Sequence, residues 1–255
     1  MPAGTFGDDY RLYKNSVPRW IPSPRPWTGT DHDSPRDLKL PPVPILADHV
    51  ARYFQELRPP RSEVMRAMEE LAEREGIPIV HWETGRFLAT LVTALDPELV
   101  LEVGTAIGYS TLHMAEALGR GRIVTLEIET VRADQARDFL SRAGVADRVE
   151  VIEGDALNVI PALDGPFDLI FLDATKTEYP QYLELAEPEA SGGATLVVDN
   201  LLMSGDVALE DDSEAHWGAD QLRMARAFNA DLVTSDRWLG CVLPIGDGVG
   251  FAARR

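Results

Sequence analysis

The 255-residue chain has a single cysteine, Cys241, which excludes an internal disulfide and fits a reducing compartment. It has no apolar stretch approaching the roughly 18 residues of a membrane span. Its first residues, MPAGTFGDDYRLYKNS, carry no apolar segment of the signal-peptide kind. A cytoplasmic protein without membrane association is expected. Positive charge is also scarce. The formal net charge is -18, so a duplex or tRNA partner would be repelled by the average field. The deficit is uneven: residues 1–61 hold nine Arg or Lys against seven Asp or Glu, leaving 15 against 35 for the rest. Lysine is the rarest cation, with Lys14, Lys39 and Lys176 set against 21 arginines.

What the chain does have is 45% hydrophobic residues, enough for one large core or two small domains. Residues 1–44 are rich in proline, glycine and aromatics (SVPRWIPSPRPWTG, LPPVP), and proline at this density blocks regular helix and sheet. Such an arm is either a loose tail or a strap that packs Trp20 and Trp27 on a neighbouring subunit or over the active site. The folded unit is expected to span 45–255. Three helical patterns open it: ILADHVARYFQEL, PRSEVMRAMEELAEREG and ETGRFLATLVTAL, the second opened by proline and closed by Gly76.

From Glu98 the rhythm changes to short β-branched runs, ELVLEVG, RIVTLEI, RVEVIEG, FDLIFLD and ATLVVDN. Helical segments separate them: GYSTLHMAEALG, TVRADQARDFLSRAG, ALNVIPAL and EYPQYLELAEPEA. This alternation predicts an α/β fold with a mostly parallel, doubly wound sheet and helices on both faces. In WLGCVLPIGDGVGFAARR two runs flank Gly246-Asp247-Gly248 with no helix between them, which predicts a C-terminal antiparallel hairpin. His113 falls in a helical pattern, where a packed or surface role is the ordinary one. The acidic run 210–214 reads as a solvated loop.

The first strand leads into LEVGTAIGYS, where Gly104 and Gly108 allow the backbone to approach a ligand closely. A dinucleotide site would read G-x-G-x-x-G here; this chain reads G-x-x-x-G with Glu102 just before it. A carboxylate would repel a pyrophosphate but welcome an ammonium, while Ser110 and the free N–H groups of the helix start suit a carboxylate. Those features describe a zwitterionic amino-acid tail. Glu127, 23 residues after Gly104, suits a ribose diol, although alone it could be a solvated strand end. Asp155 and Ala156 border the expected adenine. The ligand that fits the set is S-adenosylmethionine.

Strand four ends at Asp173 and strand five at Asp199-Asn200, where an open parallel sheet binds ligands. Two carboxylates and an amide carbonyl exceed what Lys176 alone can pair. Three hard oxygens suit Mg²⁺, or Ca²⁺ or Mn²⁺, and the absence of His and Cys from the group argues against zinc. The alternative for the two aspartates is ordinary strand-end capping. Lys176 lies three residues past Asp173. An amine can give up its proton and act as a base where a guanidinium cannot, though a solitary lysine can equally be a surface residue.

The pieces LEVGTAIGYS, LEIE, EGDAL, FDLIFLDATKTEY, GGATLVVDN and LPIGDGVGFAAR occur in an order and at spacings that resemble the cation-dependent O-methyltransferases. That group contains catechol O-methyltransferase and caffeoyl-CoA O-methyltransferase, and the resemblance covers residues ~80–255. It implies a Rossmann-like sheet of seven strands. It further implies metal ligands at Asp173, Asp199 and Asn200 and a catalytic lysine at Lys176. The cofactor contacts it implies are Glu102, Gly104, Gly108, Tyr109, Ser110, Glu127, Ile128, Asp155, Ala156 and Asp173. A homodimer is expected on the resemblance alone. The chain departs from the plant members, which read Asp-Ala-Asp-Lys where it has Asp173-Ala174-Thr175-Lys176. It departs from the catechol enzyme, which has an aromatic at the position of Ala106.

The expected reaction is methyl transfer to a hydroxyl of a small molecule with vicinal oxygens. Two rivals are a tRNA hydroxyuridine O-methyltransferase and a catalytically silent binding module of the same fold. The charge argues against the first, and the intact Asp173, Lys176, Asp199 and Asn200 set against the second. Acceptor choice is expected from the arm and from the loop LLMSGDVALEDDSEAHWG, with Trp82, Tyr179, His216, Trp217 and Trp238 as lining residues. The arginine- and alanine-rich composition resembles that of GC-rich bacteria, where secondary metabolism is a plausible setting.

Overall fold

A computed structural model describes residues 48–255. The arm 1–44, with Trp20 and Trp27, lies outside the described residues. Three helices come first: α1 (Asp48–Glu56), α2 (Glu63–Glu75) and α3 (Trp82–Leu95). The second is defined at both ends by local chemistry. The Ser62 hydroxyl accepts the Met65 N–H at 3.1 Å, and Gly76 closes the helix in the left-handed region at φ 64°.

Strands and helices then alternate as predicted: β1 (Leu99–Val103), α4 (Tyr109–Ala117), β2 (Arg122–Glu127), α5 (Thr130–Arg142) and β3 (Val149–Glu153). The short α6 (Ala156–Val159), β4 (Phe167–Leu172), α7 (Tyr179–Ala186) and β5 (Ala190–Val198) continue the series. A further helix, α8 (Ala219–Thr234), was not among the predicted elements. Strands β6 (Trp238–Leu243) and β7 (Val249–Arg254) form the expected hairpin.

The sheet has seven strands in the order β3-β2-β1-β4-β5-β7-β6, parallel from β3 to β5, with β7 antiparallel to both of its neighbours. The winding reverses between β1 and β4. Along β1 every residue is buried, because helices cover both faces. Val100 joins the cluster that contains Met68 of α2, Leu88 of α3, Leu112 of α4 and Leu140 of α5. Leu99, Leu101 and Val103 join the opposite cluster, with Tyr182 of α7, Phe228 of α8 and Trp238.

That packing corrects one expectation. Trp238 is 1% exposed and sits in the core of the second face, so it lines no substrate site. A large apolar ring at the start of a strand that packs on α8 is held there by burial. His113, in contrast, fits its ordinary reading: it packs edge-to-face on Tyr109, with ring centroids 4.9 Å apart.

Candidate active site

The carboxyl ends of β1, β2, β4 and β5 open into a cleft of about 470 Å³. Its walls include Gly104, Thr105, Ala106, Tyr109, Ser110, Glu127, Ile128, Asp155, Ala156, Asp173, Lys176, Asp199 and Asn200. Backbone hydrogen bonds carry the sheet past its strand ends and fix the two aspartates. The Asp173 N–H donates to Val103 O at 2.9 Å, and the Asp199 N–H donates to Leu172 O at 3.0 Å. Gly104, at φ 103°, is required because a Cβ there would stand 2.1 Å from the Asp173 carbonyl. Its freedom thus serves the approach of the β1 loop to the β4 loop as much as that of any ligand.

Glu127 is 6% exposed and already organised. Its carboxylate accepts the Ala106 N–H at 2.7 Å and the Glu129 N–H at 2.9 Å, and its remaining lone pairs are left for diol hydroxyls. Asp155 caps α6, accepting Leu157 N–H at 2.9 Å and the Asn158 amide at 3.0 Å. Glu127, Glu129, Asp155, Asp173, Glu178 and Asp199 line the cleft against only Lys176 and Arg132, so its field favours cationic ligands.

At the β4 and β5 ends, Lys176 opens a 3₁₀ turn (Lys176–Glu178). Its Nζ lies 3.0 Å from Asp173 Oδ1 and 5.6 Å from the Tyr179 ring centroid. Asp199 is 1% exposed, and its Oδ1 is buried without a hydrogen-bond partner. Burial first, and then the nearby charge of Asp173, push the Asp199 carboxyl upward. A buried acceptor without a donor, beside a second carboxylate and an amide, is the donor set of a hard divalent cation. The residues present fit one.

Two of the expected cofactor contacts are placed differently. Glu102 is fully buried and does not line the cleft; the hydroxyls of Ser110 and Thr111 both donate to its carboxylate. The period of a strand gives the signal for this, since Glu102 shares the parity of Val100 and points under α4 rather than out of the sheet end. Gly108 also lies off the cleft, where a Cβ would press on Ala136 of α5 at 3.3 Å.

Burial drives the Glu102 carboxyl from its ordinary 4.5 up to about 7 against the pull of the two hydroxyls, with the Asp173 charge adding to the rise. The sign follows from linkage. The folded state holds this proton more tightly than the unfolded chain does, so the contribution is complete below pH 4.5 and is lost as pH rises through about 7. Glu102→Gln should therefore flatten the fall in stability across that window, a term of about 3 kcal/mol. Urea melts of both proteins from pH 4 to pH 8 read it, and parallel curves would refute the assignment.

The five residues expected to face the acceptor do not line this cleft. Besides Trp238, Tyr179 is 2% exposed under the site and donates its hydroxyl to the Asp199 carbonyl at 3.2 Å. Trp82 instead borders a separate cavity of about 750 Å³ with Arg58, Arg61 and Arg86. His216 and Trp217 donate their backbone N–H groups to the buried Asp206 carboxylate at 2.6 and 3.2 Å, which staples their loop to itself. Residues the sequence reading did not single out include Tyr182, Glu178 and Arg132 in the cleft, and Asp247 behind Asn200.

The open doubly wound sheet thus places an acidic cleft at its switch point, the ligand-binding position of such sheets, with Glu127 at the end of β2 and Lys176 among carboxylates. The family model described as O-methyltransferase matches residues 58–255, and the chain belongs to that family and is an enzyme of that class. A catechol O-methyltransferase of Mycobacterium tuberculosis is 46% identical over 145 residues, which cover 56% of this chain and 66% of that protein, just under two thirds of its length. Caffeoyl-CoA O-methyltransferase 1 of Zea mays is 31% identical over 225 residues, covering 82% of this chain and 86% of that protein. The crystal structure of the O-methyltransferase from Bacillus cereus in complex with SAH matches with a TM-score of 0.71 and 30% identity, covering 81% of this chain and 97% of the other.

Proposed function

We propose that the unit 45–255 transfers a methyl group from S-adenosylmethionine to a hydroxyl of a small molecule with adjacent oxygens. In this reading a divalent cation, Mg²⁺ first, is held by Asp173, Asp199 and Asn200. The carrying observation is the buried, partnerless Asp199 Oδ1 beside Asp173, with Lys176 the one cation in contact among the described residues. The acidic cleft and the likeness to an SAH-bound relative support the choice of methyl donor. A cytoplasmic homodimer is part of the reading, the compartment on the solitary cysteine and the dimer on resemblance.

When bound, the cation supplies charge that stabilises an acceptor oxygen as it loses its proton, and S-adenosylmethionine supplies a methyl activated by its sulfonium. Lys176 Nζ, oriented by Asp173 Oδ1 at 3.0 Å, takes the hydroxyl proton. Glu127 holds the ribose through the lone pairs its two backbone donors leave free. Ser110, fixed by Glu102 from behind, borders the amino-acid tail. Holding acceptor oxygen and methyl at attack distance would contribute about 7–11 kcal/mol in favourable cases.

Incubating the protein with S-adenosylmethionine and catechol should yield O-methylated product, lost with a chelator and restored by Mg²⁺. Turnover that survives exhaustive chelation refutes the cation. Cofactor binding without turnover on any vicinal diol refutes the acceptor class.

A further inference from the structure

The hairpin tip Gly246-Asp247-Gly248 has no role in the reaction as described, yet it is locked onto the loop that carries Asn200. Leu201 N–H donates to Gly248 O and Leu202 N–H to Asp247 O, both at 2.9 Å. Gly248 sits at φ 85°, and a Cβ there would stand 2.9 Å from the Leu202 backbone nitrogen, so the two loops touch at backbone level. The Asp247 side chain reaches across the same contact. Its Oδ1 accepts the Ser204 N–H at 2.7 Å, and its Oδ2 accepts the side-chain amide N–H of Asn200 at 3.3 Å.

We infer that Asp247 is a positioning residue that sets which end of the Asn200 amide faces the cleft. An ionised carboxylate can only accept, so the contact selects the orientation in which the Asn200 NH₂ meets the hairpin. The carbonyl is thereby left for the cleft, which Asn200 lines. With the amide reversed, two N–H donors would point at the cation position and none of its oxygens would. Asp247 is itself pinned by the Ser204 N–H, so it cannot follow a rotating amide. Such an outer partner fixes a ligand's orientation without touching the ion. The inference rests on the cation reading above.

Asp247→Asn is the informative change because it keeps size and an oxygen for Ser204 but turns an NH₂ toward Asn200. The amide of Asn200 should then reverse, and Mn²⁺ affinity by calorimetry on the full chain should fall about 10- to 100-fold with the thermal melt nearly unchanged. Asn200→Asp combined with Asp247→Asn should recover that loss, since a carboxylate at 200 accepts from the new amide and still offers an oxygen to the ion. A second readout needs no metal. The asparagine side-chain ¹⁵N–¹H signals of residue 200, assigned by their loss in Asn200→Asp, should shift in Asp247→Asn. Wild-type affinity in Asp247→Asn, purely additive effects in the double variant, or unmoved amide signals would each overturn the inference. A wild-type chain that binds no Mn²⁺ while the amide signals still shift would refute the cation reading and leave the orienting role of Asp247 in place.

Discussion

Lys176→Ala should leave S-adenosylmethionine binding essentially unchanged and lower turnover by about 10²–10⁴-fold, the range a positioned general base contributes. Among the described residues Lys176 supplies the one amine that lines the cleft, and its Nζ lies 3.0 Å from Asp173 Oδ1. Lys176→Arg separates the two things a cation does. It restores the charge beside Asp173 but not an amine that can be neutral, so it should repair stability lost in the alanine variant and leave turnover low. Single-turnover kinetics at saturating methyl donor and Mg²⁺ measure the chemical step directly. Full activity in the arginine variant would mean that the side chain acts as a charge and not as a base.

Asp199→Asn should produce the opposite pattern on stability. Without a cation, the wild-type protein holds a buried carboxylate next to Asp173, with an oxygen that finds no donor. Neutralising it relieves that repulsion, and the melting temperature of the cation-free protein should rise by about 2–4 °C for each kcal/mol relieved. The same change should abolish turnover and weaken Mg²⁺ by more than about 100-fold, beyond what loss of an outer partner gives. Added Mg²⁺ should therefore raise the melting temperature of wild type and not of the variant. Thermal scans with and without Mg²⁺ on both proteins test it, and a variant that melts earlier than wild type in the absence of cation would refute the account.

The strand-by-strand alternation was legible because each strand of a covered parallel sheet is a short apolar run bounded by turn residues. The same geometry made Asp173, Lys176, Asp199, Asn200 and Glu127 legible, since a parallel sheet brings successive strand ends to one edge whatever the packing above them. Depth was harder to read. Glu102 lies one residue before a strand end and was assigned to the ligand; the pleat turns it under α4 instead. Trp238 and Tyr179 looked like recognition aromatics and are core. Composition does not say whether a ring faces a ligand or a neighbouring helix. The helix α8 carries a readable stripe in Leu222, Ala225, Phe228 and Leu232, but a long acidic loop separates it from the end of β5, whereas α4, α5, α6 and α7 follow their strands closely. Asp247 was visible only as part of a turn, because its partners are 43 and 47 residues away.

Strand β7 is late in the chain yet pairs with β5 on one side and β6 on the other. A nascent polypeptide that has emerged only through Asn200 already owns both aspartates and the lysine, but neither the loop that follows nor the residues that hold it. The Asn229 amide holds the Leu201 carbonyl at 2.8 Å, and the backbone anchor is complete only once Gly248 and β7 leave the ribosome. A chain cut near residue 245 would lack β7 and, with it, the acceptors that hold the Leu201 and Leu202 N–H groups just after Asn200.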